Sequence, residues 1–593
     1  MKQFFKMFFA SLLAVIIAGV IVFGLVLGLT ISAVKNLGNT NRPVALKNNA
    51  VLVLKLDKNL HEQGETNSFA AFNDASSYDA GLFDLQQSLK EAAEDDNVKA
   101  VLLQLKGNHN GWATLQALRA SLVAFKKSGK PVYAYGEGIT QKDYYVASAA
   151  DKVYLNPIGD FELRGLAAQI PFFKGTLDKL GVEPEIFYAG KFKSATEPFR
   201  LKEMSEPNRV QITALLNDIW GDFLSAAAEK AGQSPEGIQA LVQSGAIRFG
   251  RDAAAQKLVD GLKYWDEVEA EIRQDLKLEQ DDKIPYQDID AYANKIRRKP
   301  LGSGDRIAVL FAEGDIIDGR GDDYQIASED IVKTIRKIKE NKKVKAVVLR
   351  INSPGGSALA SEVILRELEL LKKEKPLVVS MGDLAASGGY FISCAADSVF
   401  ASQATLTGSI GVFGMMFNLS PMLDQKLGVT FDGVKTGPYA DFPSATRPMT
   451  ADEKARMQQQ VDTIYAIFKN HVIAARKLSP ALVDSIAQGR VWSGRQAASI
   501  GLVHAFGDLN RAIQSAASLA KIEDYAVQTY PEPVDKFQSI LRRFSGEPMT
   551  AFAVQQALEE MAGPDFKAMQ RLQWLRQMNG KSMMLLPEVL VIE

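Results

Sequence analysis

The chain has 593 residues, and its 69 Lys+Arg against 70 Asp+Glu give a formal net charge of −1. With 47% hydrophobic and 23% charged residues it has the composition of an ordinary globular protein, which excludes a mostly disordered chain, a collagen-like fibre and a membrane protein with many spans. The near-zero net charge also argues against a dedicated nucleic-acid binder, so no nucleic acid is expected as a partner.

A long uncharged segment opens the chain, from Met7 to Val34. As a helix it would extend about 42 Å, more than the roughly 30 Å hydrocarbon core of a bilayer. A cleaved signal peptide is the alternative, but its apolar core has only about 7–15 residues, and Ile31-Ser32-Ala33 is a poor cleavage site because Ile31 is large. We therefore predict an uncleaved transmembrane anchor over 7–34. The bias of positive charge places its amino terminus in the cytoplasm and the rest of the chain beyond the membrane.

The remainder of the chain contains an internal repeat. Val98–Gln104 recurs as Val344–Arg350, and Tyr144–Tyr154 recurs as Tyr390–Phe400, both at an offset of 246 residues. Collinear matches of this kind indicate a duplication of one structural unit.

Each copy alternates short apolar strands with amphipathic helices. The corresponding elements are the strands Val51–Leu56 and Ile307–Phe311, the helices Phe83–Glu94 and Asp330–Glu340, and the strands Pro131–Tyr135 and Pro376–Ser380. This alternation predicts βαβ units with parallel strands, and hence an α/β fold.

The boundaries follow from composition. Arg297–Asp305 is rich in Pro, Gly and charge, as is typical of a linker. We predict an N-terminal repeat over 45–298, a C-terminal repeat over 305–531 and a helical extension over 532–593.

Metal chemistry is not expected. The single cysteine, Cys394, can form neither an intramolecular disulfide nor a cysteine metal cluster, and its apolar neighbours favour a small buried thiol. The four histidines are widely scattered, and none forms an HExxH pair. No metal or cofactor is therefore predicted.

A glycine pair follows a strand in the second copy, within Asn352–Ser357. Gly355 and Gly356 let backbone N–H groups face a ligand at the start of a helix, which is the arrangement of an oxyanion hole or anion site. A tight strand–helix turn is the purely structural alternative. The first copy has Gly107–Gly111 at this place and lacks the adjacent pair.

The second copy also carries a serine between glycines, Ser409 in Leu406–Gly414. Such a tract can expose a hydroxyl beside backbone amides, although alone it is more often a turn. The offset places Ser409 on Leu163, so the first copy has no hydroxyl there.

A serine nucleophile needs a base, and none of the histidines lies in a matched motif near this loop. A lysine can serve if burial lowers its pKa. The first copy offers Lys191 and Lys193, which align with Pro438 and Ala440 of the second copy. One copy thus keeps a serine and the other a lysine.

Together these motifs resemble the long, duplicated form of signal peptide peptidase A, a family of membrane-anchored serine–lysine proteases. The resemblance implies that Ser409 is the nucleophile and that Lys193, rather than Lys191, is the general base. It also implies an oxyanion hole made by Gly355 or Gly356 together with the N–H group of Ile410.

The resemblance further implies a crotonase-like or Clp-protease-like α/β fold assembled into a homotetrameric bowl. It places the catalytic body on the periplasmic side of the bacterial inner membrane, with signal-peptide remnants and other membrane or secreted polypeptides as substrates. Two alternatives remain open at this point: a crotonase-type acyl-CoA enzyme and a non-catalytic membrane scaffold.

Overall fold

The computed structural model describes residues 47–66, 78–279, 282–298, 304–534, 582–585 and 591–592. The predicted anchor at 7–34 lies outside the described residues, as do most of the predicted helical extension and part of the predicted linker. Within the described ranges, no helix has both the length and the apolar character that a membrane crossing requires.

The first copy is built on a parallel six-stranded sheet in the order β10-β1-β4-β5-β6-β9. Its strands are β1 (Ala50–Lys55), β4 (Val98–Leu105), β5 (Val132–Gly136), β6 (Lys152–Leu155), β9 (Gly261–Leu262) and β10 (Tyr286–Asp288). Near-continuous apolar runs such as Ala50–Leu54 are buried, as expected for parallel strands that are covered on both faces.

The second copy repeats this plan in an eight-stranded sheet with the main order β20-β18-β16-β14-β11-β22, to which β17 and β21 attach through β16. Its strands are β11 (Arg306–Glu313), β14 (Val344–Ser353), β16 (Leu377–Ala386), β17 (Ser398–Ala401), β18 (Leu406–Gly408), β20 (Val491–Ser493), β21 (Ala505–Phe506) and β22 (Ala526–Tyr530). The strands β11, β14 and β16 pair in parallel, as β1, β4 and β5 do in the first copy, which confirms the predicted α/β alternation.

A third sheet joins the two copies, in the order β13-β12-β15-β23-β19-β8. Its strands are β8 (Glu183–Ala189), β12 (Asp315–Ile317), β13 (Gln325–Ala327), β15 (Gly355–Ser357), β19 (Val412–Asn418) and β23 (Ser582–Leu585). Two further pairs are β2 (Glu65–Thr66) with β3 (Tyr78–Asp79), and β7 (Ala168–Gln169) with β24 (Val591–Ile592). The strands β23 and β24 lie in the extension that was predicted to be helical.

Helices cover the sheets. They are α1 (Leu82–Glu94), α2 (Trp112–Lys126), α3 (Gln141–Ala147), α4 (Lys174–Leu180), α5 (Glu197–Arg200), α6 (Glu206–Ala231), α7 (Pro235–Ser244), α8 (Gly250–Ala255), α9 (Trp265–Asp275), α10 (Ile289–Arg297), α11 (Ser328–Glu340), α12 (Ala358–Lys372), α13 (Gly388–Ile392), α14 (Ala451–Arg476), α15 (Pro480–Ile486), α16 (Gly494–Ser499) and α17 (Leu509–Ala520). Cys394 follows α13 and is a buried free thiol whose pKa burial raises to about 11, in line with the predicted structural role.

Candidate active site

Lys193 belongs to the first copy, in the loop between β8 and a short 3₁₀ turn at Ser194–Thr196. Only 1% of the residue is exposed. Burial lowers the pKa of its ammonium group well below the usual range, because desolvation disfavours the charged form. Lys191, two residues earlier, is exposed. The structure therefore separates the two lysines that the sequence left as alternatives.

The pairing of β8 with β19 brings the two copies together at this lysine. These strands run antiparallel, with Ala189 opposite Val412 and Glu183 opposite Asn418. Lys193 follows β8 and Ser409 precedes β19, so this register places both residues at the same end of the ladder. The side chain of Lys193 donates from Nζ to Oγ of Ser409 over 3.1 Å.

A second serine lies closer to the same lysine. The Nζ atom of Lys193 donates to Oγ of Ser387 over 2.9 Å, and Ser387 is fully buried. Ser387 is not among the site residues predicted from the sequence. A signal was present, because Ser387 follows an apolar strand and precedes Gly388-Gly389, and the repeat offset aligns it with Gln141 in the first copy.

Ser387 stands at a sharp turn between β16 and α13. Its backbone has φ 54° and ψ −114°, a region that non-glycine residues seldom occupy. Its N–H donates to the carbonyl of Gly408 over 2.8 Å, which ties the turn to the strand before Ser409. Strained serines on strand–turn–helix junctions present their hydroxyl in the way that α/β hydrolases use for a nucleophile.

The segment Gln488–Val491 holds the lysine and Ser409 in place. The N–H of Phe192 donates to the carbonyl of Gln488, and the N–H of Ser409 donates to the carbonyl of Arg490. Gly489 has φ 73°, and a Cβ on it would stand 2.7 Å from both N and Cβ of Lys193. Glycine is therefore required at this position for two reasons: the positive φ is unfavourable for other residues, and a side chain would overlap Lys193.

The residues predicted to form the oxyanion hole lie in two segments: the glycine pair in β15, and Ile410 between Ser409 and β19. Gly355 and Gly356 form the buried strand β15 with φ 108° and 154°, and the N–H of Gly355 donates to Oγ of Ser353 over 3.1 Å. The N atom of Gly388 lies 2.7 Å from where a Cβ on Gly355 would stand, so the amide after Ser387 borders the glycine turn. Ile410 is fully buried, and its carbonyl accepts from the N–H of Gly489.

This arrangement joins a buried amine with a lowered pKa to two hydroxyls beside a glycine-rich backbone turn. A buried lysine with a depressed pKa can accept a proton from a serine, and backbone amides can stabilise an oxyanion. These are the parts that acyl transfer requires without a metal.

Comparison with known proteins agrees with this chemistry. The sequence profile of peptidase family S49 matches the chain twice, at residues 124–279 and 369–523. The chain belongs to peptidase family S49. The two matches fall in the two copies, so the internal repeat consists of two S49 regions. The profile described as Clp protease matches residues 303–405, and the chain therefore has a Clp-protease-like α/β fold built from repeated S49 domains.

Relatives of the S49 chain are named as proteases. Protease 4 of Salmonella typhi is 37% identical over 476 residues, covering 78% of this chain and 76% of that protein. The chloroplastic serine protease SPPA of Arabidopsis thaliana is 33% identical, covering 74% and 65%. A protein of Enterococcus faecium provisionally named signal peptide peptidase SppA is 34% identical, covering 42% and 74%. This chain is accordingly a serine protease of family S49, which favours the peptidase prediction over the acyl-CoA enzyme and the scaffold.

Proposed function

We propose that this S49 chain is a serine endopeptidase in which Ser387 is the nucleophile and Lys193 is the general base. The observation that carries the proposal is the position of the Lys193 amine. Burial lowers its pKa, and its Nζ atom lies within hydrogen-bond distance of two serine hydroxyls. An amine that is neutral at working pH and touches a hydroxyl is suited to remove that hydroxyl's proton.

The reaction follows as acyl transfer. Oγ of Ser387 attacks the carbonyl carbon of a peptide bond while Nζ of Lys193 takes the hydroxyl proton. The resulting ammonium returns that proton to the leaving amine, which leaves an ester on Ser387. A water molecule then gives a proton to Lys193 and adds to the ester, and the lysine restores the proton to Ser387 as the acid product departs.

Three features support Ser387 rather than Ser409 as the attacking group. Ser387 stands on the strained strand–helix turn, it is the nearer hydroxyl to Nζ, and the amide of the next residue, Gly388, borders the glycine turn. The nucleophile's neighbour supplies an oxyanion amide in other hydrolases with this kind of turn. In this proposal Ser409 holds Lys193 in position and is not the nucleophile, the role expected for it from the family resemblance.

The oxyanion donors proposed here are the N–H groups of Gly356 and Gly388. Gly388 begins α13, where N–H groups have no partner within the helix. The N–H of Gly355 is engaged by Ser353, which favours Gly356 of the two predicted glycines. Gly388 takes the place that the resemblance gave to Ile410.

Covalent labelling tests the assignment. The full chain is treated with a serine-directed peptidyl phosphonate, and the labelled peptide is identified by mass spectrometry. We expect the label on Ser387, its loss in Ser387→Ala, and slower labelling at the same site in Ser409→Ala. A label on Ser409 that is still formed in Ser387→Ala would show that Ser409 is the nucleophile.

The proposed substrates are cleaved signal peptides and other membrane or secreted polypeptides. The relative named signal peptide peptidase supports this class, and so does the predicted apolar segment at 7–34, which would tether the enzyme where such peptides arise. We further propose a single-pass protein of the bacterial inner membrane with its catalytic body on the periplasmic side, assembled as a homotetramer. Mass photometry of the detergent-extracted protein tests the assembly.

A further inference from the structure

The strand β23 lies between β15 and β19 in the third sheet, and the space that it occupies there is called the slot below. It pairs antiparallel with β15 on one side, where Gly356 lies opposite Met584, and antiparallel with β19 on the other, where Phe413 lies opposite Met583. Neighbouring strands stand about 4.8 Å apart. Without β23, β15 and β19 would therefore flank an opening one strand wide, which an extended peptide could enter by adding to both sheet edges.

Two buried pockets receive the side chains of this strand. Met583 packs in an apolar cluster with Ala195, Phe199, Phe413 and Met415 and is 8% exposed. Met584 is 1% exposed and belongs to the main core cluster of the second copy. Successive side chains of a strand point to opposite faces, so the slot offers one apolar pocket on each side.

The backbone of this strand reaches the proposed oxyanion site. A Cβ on Gly355 would overlap the carbonyl oxygen of Met584, and a Cβ on Gly388 would stand 3.1 Å from that oxygen. The carbonyl group of Met584 thus lies between the glycine turn and the residue that follows Ser387. This is where the proposed mechanism requires the carbonyl of a substrate.

We propose that Ser582–Leu585 is an internal peptide that occupies the substrate slot of its own chain, so that an incoming polypeptide must displace it. The slot accepts an extended peptide with apolar residues at two successive positions. This inference rests on the proposed function for the identity of the slot, but the occupancy can be measured by binding alone.

The test uses the full chain carrying Ser387→Ala, so that no probe is consumed. The probe is a fluorescein-labelled peptide with the sequence of residues 581–587, KSMMLLP, which reproduces the internal strand. We expect Met584→Asp to weaken the internal strand, because a carboxylate cannot enter its apolar pocket without a large desolvation cost. The affinity for the probe should then rise by about tenfold or more, since a tethered competitor acts at an effective concentration near the millimolar range.

Matched controls separate occupancy from other effects. Val434→Asp adds the same charge at a fully exposed site and should leave the probe affinity unchanged. A chain that ends at Gly580 removes the strand without adding charge and should bind the probe as tightly as Met584→Asp or more tightly. A KSDDLLP peptide should bind to none of these variants.

The outcomes distinguish the inference from the function on which it rests. Equal probe affinity in the parent, the Met584→Asp variant and the shortened chain would overturn the internal occupancy, even if Ser387 is the nucleophile. Conversely, turnover that persists in Ser387→Ala would overturn the proposed catalytic role of Ser387, while a rise in probe affinity would still establish the occupancy. In chains with Ser387 intact, Met584→Asp should raise peptidase activity at subsaturating substrate by a similar factor.

Discussion

The Nζ atom of Lys193 lies 2.9 Å from Oγ of Ser387, although 194 positions separate the two residues in the chain. One residue belongs to each copy of the repeat, and the ladder between β8 and β19 holds them together. Duplication has thus produced a single site from two units, with the lysine kept in one copy and both serines in the other.

The lysine is the first residue to test. Lys193→Ala should lower kcat by three or more orders of magnitude, because the proposed reaction loses its general base. Lys193→Arg should be nearly as inactive, since a guanidinium group stays protonated at any accessible pH. Lys191→Ala is the matched control and should keep most of the activity, because Lys191 is exposed. Steady-state kinetics on a quenched fluorescent peptide will measure all three, and a dead Lys191→Ala with an active Lys193→Ala would refute the assignment.

The depressed pKa of Lys193 also predicts how stability depends on pH. Unfolded Lys193 takes up a proton below about pH 10.4, whereas the buried residue resists protonation down to its lower folded pKa. Between these two values the wild-type chain loses stability as pH falls, by about 1.4 kcal/mol per pH unit from this group. Lys193→Met removes this dependence.

The stability of Lys193→Met relative to wild type should therefore increase as pH is lowered from 10 to 8. Unfolding in urea at several pH values will measure the difference. Two serine hydroxyls lose a partner in the variant, so the slope is the informative quantity and the absolute difference is not. A difference that stays constant over this range would show that Lys193 is charged in the folded protein.

Much of the fold was predictable, because strands and helices of an α/β repeat leave periodic patterns. The predicted strand Val51–Leu56 is observed as Ala50–Lys55, and the predicted helix Asp330–Glu340 as Ser328–Glu340. The third sheet, which joins the two copies, was not predicted. Its strands β12, β13, β15 and β23 have three or four residues each, too few for a periodicity, and β23 pairs with strands far from it in the sequence.

The site was predictable only in part for a similar reason. Comparison of the copies singled out Ser409 together with Lys191 and Lys193, because these residues lack counterparts in the other copy, and the family resemblance then selected Lys193. Ser387 also lacks one, since Gln141 stands in its place, and Gly388-Gly389 follows it, but in the sequence alone these features do not distinguish a nucleophile from a structural turn. Its significance depends on a backbone angle and on a contact with the other copy, neither of which is written locally in the sequence.

Gly489 should be essential to activity through its packing on Lys193. Gly489→Ala places a methyl group 2.7 Å from Cβ of Lys193 and so must displace the lysine. Gly245→Ala is the control: its φ of 59° is also unfavourable for alanine, but a Cβ there meets nothing within 4 Å. Both variants should lose about 1 kcal/mol of stability from the backbone conformation, and Gly489→Ala should lose more because its methyl group also overlaps Lys193. Only Gly489→Ala should lower kcat more than tenfold. Equal kcat values for the two variants would show that catalysis does not depend on the contact between Gly489 and Lys193.

Removal of the predicted anchor should leave the catalytic body folded and active. The strand β1 begins at Ala50 and has five buried residues, whereas the predicted anchor ends at Val34. A chain starting at residue 47 should therefore fold and cleave peptides at close to the full-length rate, while it leaves the membrane fraction under alkaline extraction. If the shortened chain aggregates or loses its cooperative thermal transition, the segment before residue 47 has a structural role.

The last prediction concerns a buried ion pair between the two copies. Arg350 on β14 donates to both carboxylate oxygens of Glu62, at 2.8 and 3.1 Å, and both side chains are at least 94% buried. Arg350 also donates to Oγ of Ser380 and to the carbonyl of Met381, so four of the five guanidinium N–H groups have a partner. Removing one partner from such a pair leaves an uncompensated charge and costs about 3–5 kcal/mol.

Glu62→Ala should therefore lower the midpoint of thermal unfolding strongly, and Glu62→Met/Arg350→Met should recover part of the loss, because an apolar pair carries no unpaired charge. Lys345 lies on the same strand as Arg350 and forms an exposed ion pair with Asp305, so Lys345→Met should change the midpoint little. Since the pair joins the first copy to the strand before the glycine turn, the single variant should also lose kcat at temperatures below its unfolding midpoint. A single variant that unfolds like wild type would show that water reaches Arg350 and that the pair does not hold the copies together.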